Sequence, residues 1–218
     1  MSRDVPPAPG VTVPRPAPGS RQRALVRRSP LILAALVLLV GAAVLAAQGD
    51  REAAVLSVQI AMVVPVPIAV ERAARVRLPP SLHAMYAALL IAAPWMGAAL
   101  GRYAAWPWWD TVVHFYSGVP IALGCVLALG LAAARRGLAM SPGLEALTVV
   151  ALHSLVALLW EVAEFTADQV LGAHTQKGNT DTMTDLIVGT LGALLVALAL
   201  YAHRTRGPFA WMTRFTGR

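Results

Sequence analysis

Six apolar stretches, at about 31–48, 53–70, 82–101, 111–134, 145–168 and 183–202, set the limits on what this chain can fold into. Each is close to the roughly 20 residues a helix needs to cross the hydrocarbon of a bilayer. Inside lipid every backbone N–H and C=O must be satisfied within the protein, and continuous apolar runs of this length do so as helices. The expected fold is therefore an all-α, polytopic membrane bundle of about six transmembrane helices. Composition agrees: 57% of residues are hydrophobic and 13% charged, where a soluble domain carries about a quarter charged residues. Within 53–70, Gln59, Pro65 and Pro67 predict a kinked or partly interfacial course.

The net charge of +7 raises the question of nucleic acid. The arginines flank the apolar runs instead of lining one face, so the reading is no nucleic acid and a membrane-lipid environment. With the N-terminus inside, fifteen of the 18 basic residues fall on inner segments, and only Arg51, Arg102 and Lys177 on outer ones. That asymmetry predicts both termini in the cytoplasm. The expected domains are a disordered Pro/Arg-rich cytoplasmic tail at 1–29, a six-helix membrane domain at 30–204 and a basic-aromatic cytoplasmic tail at 205–218. Phe209, Trp211 and Phe215 would anchor the latter on the inner surface. Arg27 and Arg28 precede Leu31–Ala47 as in a twin-arginine export signal. No small-residue cleavage site follows, so a first membrane helix with a basic flank is preferred. Trp106, Trp108 and Trp109 read as an outer aromatic belt. Cys125, the one cysteine, reads as a small buried apolar residue.

Topology brings the acids together. The fourth span runs inward from Asp110 and His114, the fifth outward to Glu161, Glu164 and Asp168, and the sixth inward from Asp181 and Asp185. Six of the chain's 11 acids and one imidazole thus converge on the outer side, facing few cations. Acids on membrane helices are costly and mark function by default. Asp110 and His114, like Asp181 and Asp185, are i, i+4 pairs about 40° apart on a helix. Clustered carboxylates need a bound cation or shared protons. Carboxylates with an imidazole suit a divalent metal ion: Mg, Mn, Ca or Zn. The expected metal ligands are Asp110, His114, Glu164, Asp181 and Asp185, and the expected catalytic groups Glu161, Glu164 and His114. The bland alternative is that these acids only fix helix packing. Asp168 also reads as interfacial, His153 as a satisfied core histidine, and the loop with Gln176 and Asn179 as merely polar. Gly118 lies below His114, and Gly189 and Gly192 below Asp185, so these faces are expected to meet. Gly97 and Gly101 form a GxxxG expected to pack helices closely within the protomer.

Leu78, Pro79 and Pro80, followed by Trp109, Asp110, His114, Ser117 and Gly118, form one motif. Glu161, Glu164, Thr175, Gln176, Gly178, Asp181, Thr182, Asp185 and Gly192 form a second. Together they resemble the YjdF-type family of uncharacterised bacterial inner-membrane proteins over about residues 53–202. The layout is more loosely similar to VanZ-like membrane proteins, from which it departs at Gly189, where those commonly have Asn. The resemblance implies a multi-pass protein of the bacterial inner membrane whose Asp/His/Glu/Asp positions form one unit, and it supplies no reaction. Three functions follow from the residues. A metal-dependent hydrolase would act on a lipid or cell-envelope substrate; a proton- or cation-coupled transporter would use His153 to extend the path; a structural accessory subunit would use the cluster as glue. Whether the chain is an enzyme stays open at this level.

Overall fold

The computed structural model describes residues 20–173 and 175–216. Its elements are α1 (Ser20–Ala47), α2 (Arg51–Val63), α3 (Val66–Ala74), α4 (Pro80–Leu90) continued by a π-helix (Ile91–Ala99), α5 (Arg102–Ala105), α6 (Trp109–Arg136), α7 (Pro142–Leu171), α8 (Asn179–Arg206), a 3-10 turn (Ala210–Met212) and α9 (Thr213–Thr216). All are helical, and six helical stretches are long and apolar enough to cross a membrane. Large apolar side chains such as Leu33, Leu36, Met62, Leu147 and Val170 are exposed on the bundle's outside, which water would penalise and lipid does not.

The first span starts earlier than the sequence suggested. Residues 20–29, expected in the tail, are the opening turns of α1, and Pro30 lies inside the helix. Proline has no N–H for the carbonyl four residues back, and Ser29 Oγ supplies that bond instead, donating to the Val26 carbonyl at 2.9 Å. The expected disorder of residues 1–19 lies outside the described residues. The second span breaks where Pro65 predicts, between α2 and α3. In the third, Pro94 sits within the π-helix, the wide-turn form in which helices accommodate an interruption.

The helices pack in two groups. Leu31, Ala34 and Leu38 of α1 meet Ile60 and Val64 of the second span and Ala87 of α4. Leu123, Val126 and Leu127 of α6 meet Val149 of α7 and Ala193, Val196 and Leu200 of α8. The α6–α8 contact is a backbone contact. A Cβ on Gly118 would lie 2.2 Å from the Gly189 carbonyl oxygen, and one on Gly192 would lie 2.2 Å from the Phe115 carbonyl oxygen. The small faces below His114 and Asp185 do meet, and this approach sets the distance between the two helices that carry the site. The expected packing through Gly97 and Gly101 takes another form: Gly97 makes room for the Tyr103 ring, while Gly101 turns the chain at φ 68°.

The C-terminal segment also departs from expectation. Met212, Phe215 and Thr216 are buried, and Met212 and Phe215 join the α6–α8 core. Gly130 of α6 permits this, because a Cβ there would lie 2.6 Å from the Thr216 carbonyl oxygen. Trp211 and Phe209 remain at the surface. The amphipathic pattern was legible; the seating of Phe215 and Thr216 against α6 was not, because it rests on the space left at Gly130.

Candidate functional site

The site lies at the end of the bundle where α6 and α8 begin and α7 finishes. Asp110 and His114 share a face of α6, one turn apart, and Asp185 comes across from the second turn of α8. Their ligand-capable atoms all lie within 4.8 Å of one another. His114 Nε2 is 3.6 Å from Asp110 Oδ1 and 3.7 Å from Asp185 Oδ2. Asp185 is buried, and the other two are half-buried.

The loop between α7 and α8 closes over this group. Gly172 (φ 64°) ends α7 and Gly178 (φ 107°) starts α8, both in backbone conformations that side chains disfavour. From the last turn of α7, Asp168 accepts hydrogen bonds from Thr175 N and Oγ1, each at 2.7 Å, and from Gln176 N at 2.9 Å. Gln176 Nε2 donates to the Glu161 carbonyl at 3.2 Å, to Glu161 Oε2 at 3.3 Å and to Thr182 Oγ1 at 3.1 Å. Asp181 Oδ2 accepts the Lys177 backbone N–H at 3.0 Å. So folded, the loop lays Lys177 Nζ 3.0 Å from Asp110 Oδ2. Partial burial works against the Lys177 ammonium. Its hydrogen bond to Asp110 and the charges of Asp110, Asp181 and Asp185 outweigh that and raise its pKa. Lys177 is therefore a fixed positive charge in an acidic site.

The expected site residues thus divide. Asp110, His114 and Asp185 form the compact group. Glu161, Glu164 and Asp181 surround it closely enough for their charges to act on Asp185. Glu161 is buried under Gln176, and Glu164 Oε1 accepts a 2.8 Å bond from Trp160 Nε1. Asp168, expected as interfacial, is the staple of the loop. His153 is buried one turn of α8 below Asp185, where a Cβ on Gly189 would meet its ring at 3.6 Å. It is buried as a core histidine is, and its Nδ1 has no hydrogen-bond partner among the described residues.

Sequence reasoning missed Tyr103 and undervalued Lys177 and Gln176. Tyr103 lies under Lys177, whose Nζ is 5.7 Å from its ring centre. Burial, then the charges of Asp110, Glu164 and Asp185, push the Tyr103 phenol far above its ordinary pKa, so it stays a neutral donor. The only sequence clue was chemical: a lone lysine in the short loop between Asp168 and Asp181. The three tryptophans pack on each other beside the site, with ring centres 5.5 to 5.7 Å apart. Trp109 Nε1 donates to the Ala92 carbonyl of the π-helix at 3.0 Å, which ties the start of α6 to the third span.

A family model described as "Predicted membrane protein (DUF2238)" matches residues 29–206. The chain belongs to this family. All the site residues above fall inside the DUF2238 region. An uncharacterized protein of Thermotoga maritima is 37% identical over 120 residues, which is 55% of this chain and 60% of that relative. The chain thus spans about 60% of the relative's length. No solved structure matches it.

Proposed function

We propose that Asp110, His114 and Asp185 bind a divalent cation at the outer face of a bacterial inner membrane, and that this DUF2238 protein is a metal-dependent hydrolase of a lipid or cell-envelope substrate. The observation that carries the reading is the three-residue group itself. Two ligands about 2.1 Å from a shared ion at a tetrahedral angle stand about 3.4 Å apart. The His114–Asp110 and His114–Asp185 separations of 3.6 and 3.7 Å are within a few tenths of an ångström of that. One imidazole and two carboxylates leave coordination positions open, as in catalytic sites, and suit Mg, Mn, Ca or Zn. Such an ion supplies Lewis-acid polarisation of a substrate oxygen. Glu161 and Glu164 are the carboxylates beside it that can take or give a proton. The tryptophan cluster supports an interfacial depth for the site, where a lipid headgroup or envelope polymer is reachable. The basic bias toward the end with the chain termini supports the cytoplasmic assignment of that end. The YjdF-type motifs support treating these residues as one unit.

The test is metal content of purified protein by elemental mass spectrometry. Wild type is expected to hold one divalent ion per chain, and Asp185→Asn to lose it while keeping its thermal melt. Folded wild type that takes up none of the four ions after loading overturns the reading. A second reading, proton- or cation-coupled transport, is favoured by one observation: the buried Nδ1 of His153, without a hydrogen-bond partner among the described residues and one turn inward from Asp185. Proton flux into protein-loaded liposomes, abolished by His153→Phe, would select it.

A further inference from the structure

The geometry points to a second site at the opposite end of the bundle: a recess between the starts of α1 and α4 that binds the phosphate headgroup of an anionic phospholipid. The recess has a volume of about 410 Å³ and is lined by Gln22, Arg23, Val26, Arg27 and Pro80. Its depth in the membrane follows from α1, whose polar opening turns through Arg28 give way to apolar sequence at Leu31. That boundary is where headgroups sit.

The charge around the recess is one-sided. Arg23 and Arg27 line it, Arg72, Arg75 and Arg77 are exposed on the segment that leads into α4, and Glu71 is buried and already engaged. Glu71 Oε1 accepts from Arg27 Nη1 and, at 3.0 Å, from the Leu78 backbone N–H. Arg28 Nη2 is 3.8 Å from its other oxygen. His83, fully buried, approaches the Arg27 carbonyl at 3.2 Å through Nδ1 and Glu71 at 3.6 Å through Nε2. This network fixes Arg27 with donors to spare. It also leaves Arg28 Nε buried with no partner among the described residues. Glu145, the other acid at this end of α7 and α8, is used up by Arg204 at 2.7 and 2.8 Å.

The network's own acids are thus engaged, and an anion at the recess would come from outside it. Guanidinium groups match phosphate oxygens in fork geometry, and basic pockets at helix ends are the form that headgroup sites take. The start of α4 adds to this: Pro80, its first residue, lines the recess, and the helix start has no side-chain cap, which leaves its positive end open there. Val26 and Pro80 give the glycerol an apolar wall, and Leu25 and Val26 lie exposed beside it. A lipid is favoured over a soluble phosphorylated partner because the recess straddles the membrane boundary.

The experiment is lipid binding to delipidated full-length protein, followed by native mass spectrometry. It compares phosphatidylglycerol with phosphatidylcholine of the same acyl chains. Wild type is expected to retain one phosphatidylglycerol and to exchange phosphatidylcholine freely. Arg23→Gln is expected to weaken the retained lipid about fivefold. Arg206→Gln removes the same charge from the same end of the bundle and is expected to change binding less than about twofold, marking the recess apart from diffuse attraction. Arg23 is exposed, so its variant should melt like wild type without lipid. Equal retention of the two lipids overturns the proposal, as does equal weakening by Arg23→Gln and Arg206→Gln. Inorganic phosphate that binds as tightly as phosphatidylglycerol overturns the lipid assignment.

Discussion

Lys177 Nζ stands 3.0 Å from Asp110 Oδ2, across 67 residues of chain, while the other oxygen of Asp110 faces His114 Nε2 at 3.6 Å. The protein thus carries a tethered cation on the edge of its own candidate cation site. A divalent ion shared by Asp110, His114 and Asp185 would compete with it for the same carboxylate. Removing the ammonium by Lys177→Met is expected to tighten divalent-ion binding. Lys177 is 52% exposed, and solvent limits such a pair to about 1 kcal/mol or less, so the gain should be about two- to fivefold. Isothermal titration with manganese would measure it. An unchanged affinity would show that the lysine is no competitor.

The pH dependence of that contact has a definite sign. The pKa of Lys177 is raised from its ordinary 10.5. A cation whose folded pKa is raised contributes stability that is complete below the unfolded value and is lost as pH rises through the folded value. The difference in melting temperature between wild type and Lys177→Met should therefore be flat from about pH 6 to about pH 9 and shrink only above about pH 10.5. A difference that changes near pH 6.5 would trace the effect to histidine instead.

The α6–α8 glycines make a sharper structural prediction. A Cβ at Gly118 or Gly192 would sit 2.2 Å from a main-chain oxygen, and no side-chain rotation relieves that. Gly192→Ala and Gly118→Ala are each expected to cost about 1–3 kcal/mol, or more if the helices separate. Gly189→Ala, whose Cβ would find its nearest neighbours at 3.5 and 3.6 Å, should be near neutral. Melting temperatures in detergent would separate the three. If all behave alike, the close approach is not what holds the site helices together.

The features that sequence conveyed are those set by spacing along one helix. Six spans followed from the lengths of apolar runs, and the break at Pro65 followed from the missing N–H. The convergence of Asp110, His114 and Asp185 followed from parity: helices that alternate in direction bring every second loop to the same side. What it did not convey depends on how helices rotate against one another. Glu71 meets Arg27 across 44 residues, His83 meets Arg27 across 56 and Glu145 meets Arg204 across 59, and no local period encodes those pairings. Tyr103 was invisible for the same reason, since its role arises only once Gly97 makes room for its ring. Gln176 looked like any polar loop residue until the loop's folding placed it over Glu161.

The Glu145–Arg204 pair joins the first turn of α7 to the last turn of α8 through two hydrogen bonds of 2.7 and 2.8 Å. Its side chains are only 7% and 16% exposed. In such a place the Coulomb gain is offset by the cost of stripping water from both charges. The pair is therefore worth much less than the loss of one member. Arg204→Met leaves Glu145 buried and uncompensated and is expected to cost about 3–5 kcal/mol, with Glu145→Met close behind. The double variant should melt above either single one, because an apolar pair of similar size removes both desolvation costs. Losses that simply add would mean the two residues act independently, and α7 and α8 would then be held at this end by their apolar contacts alone.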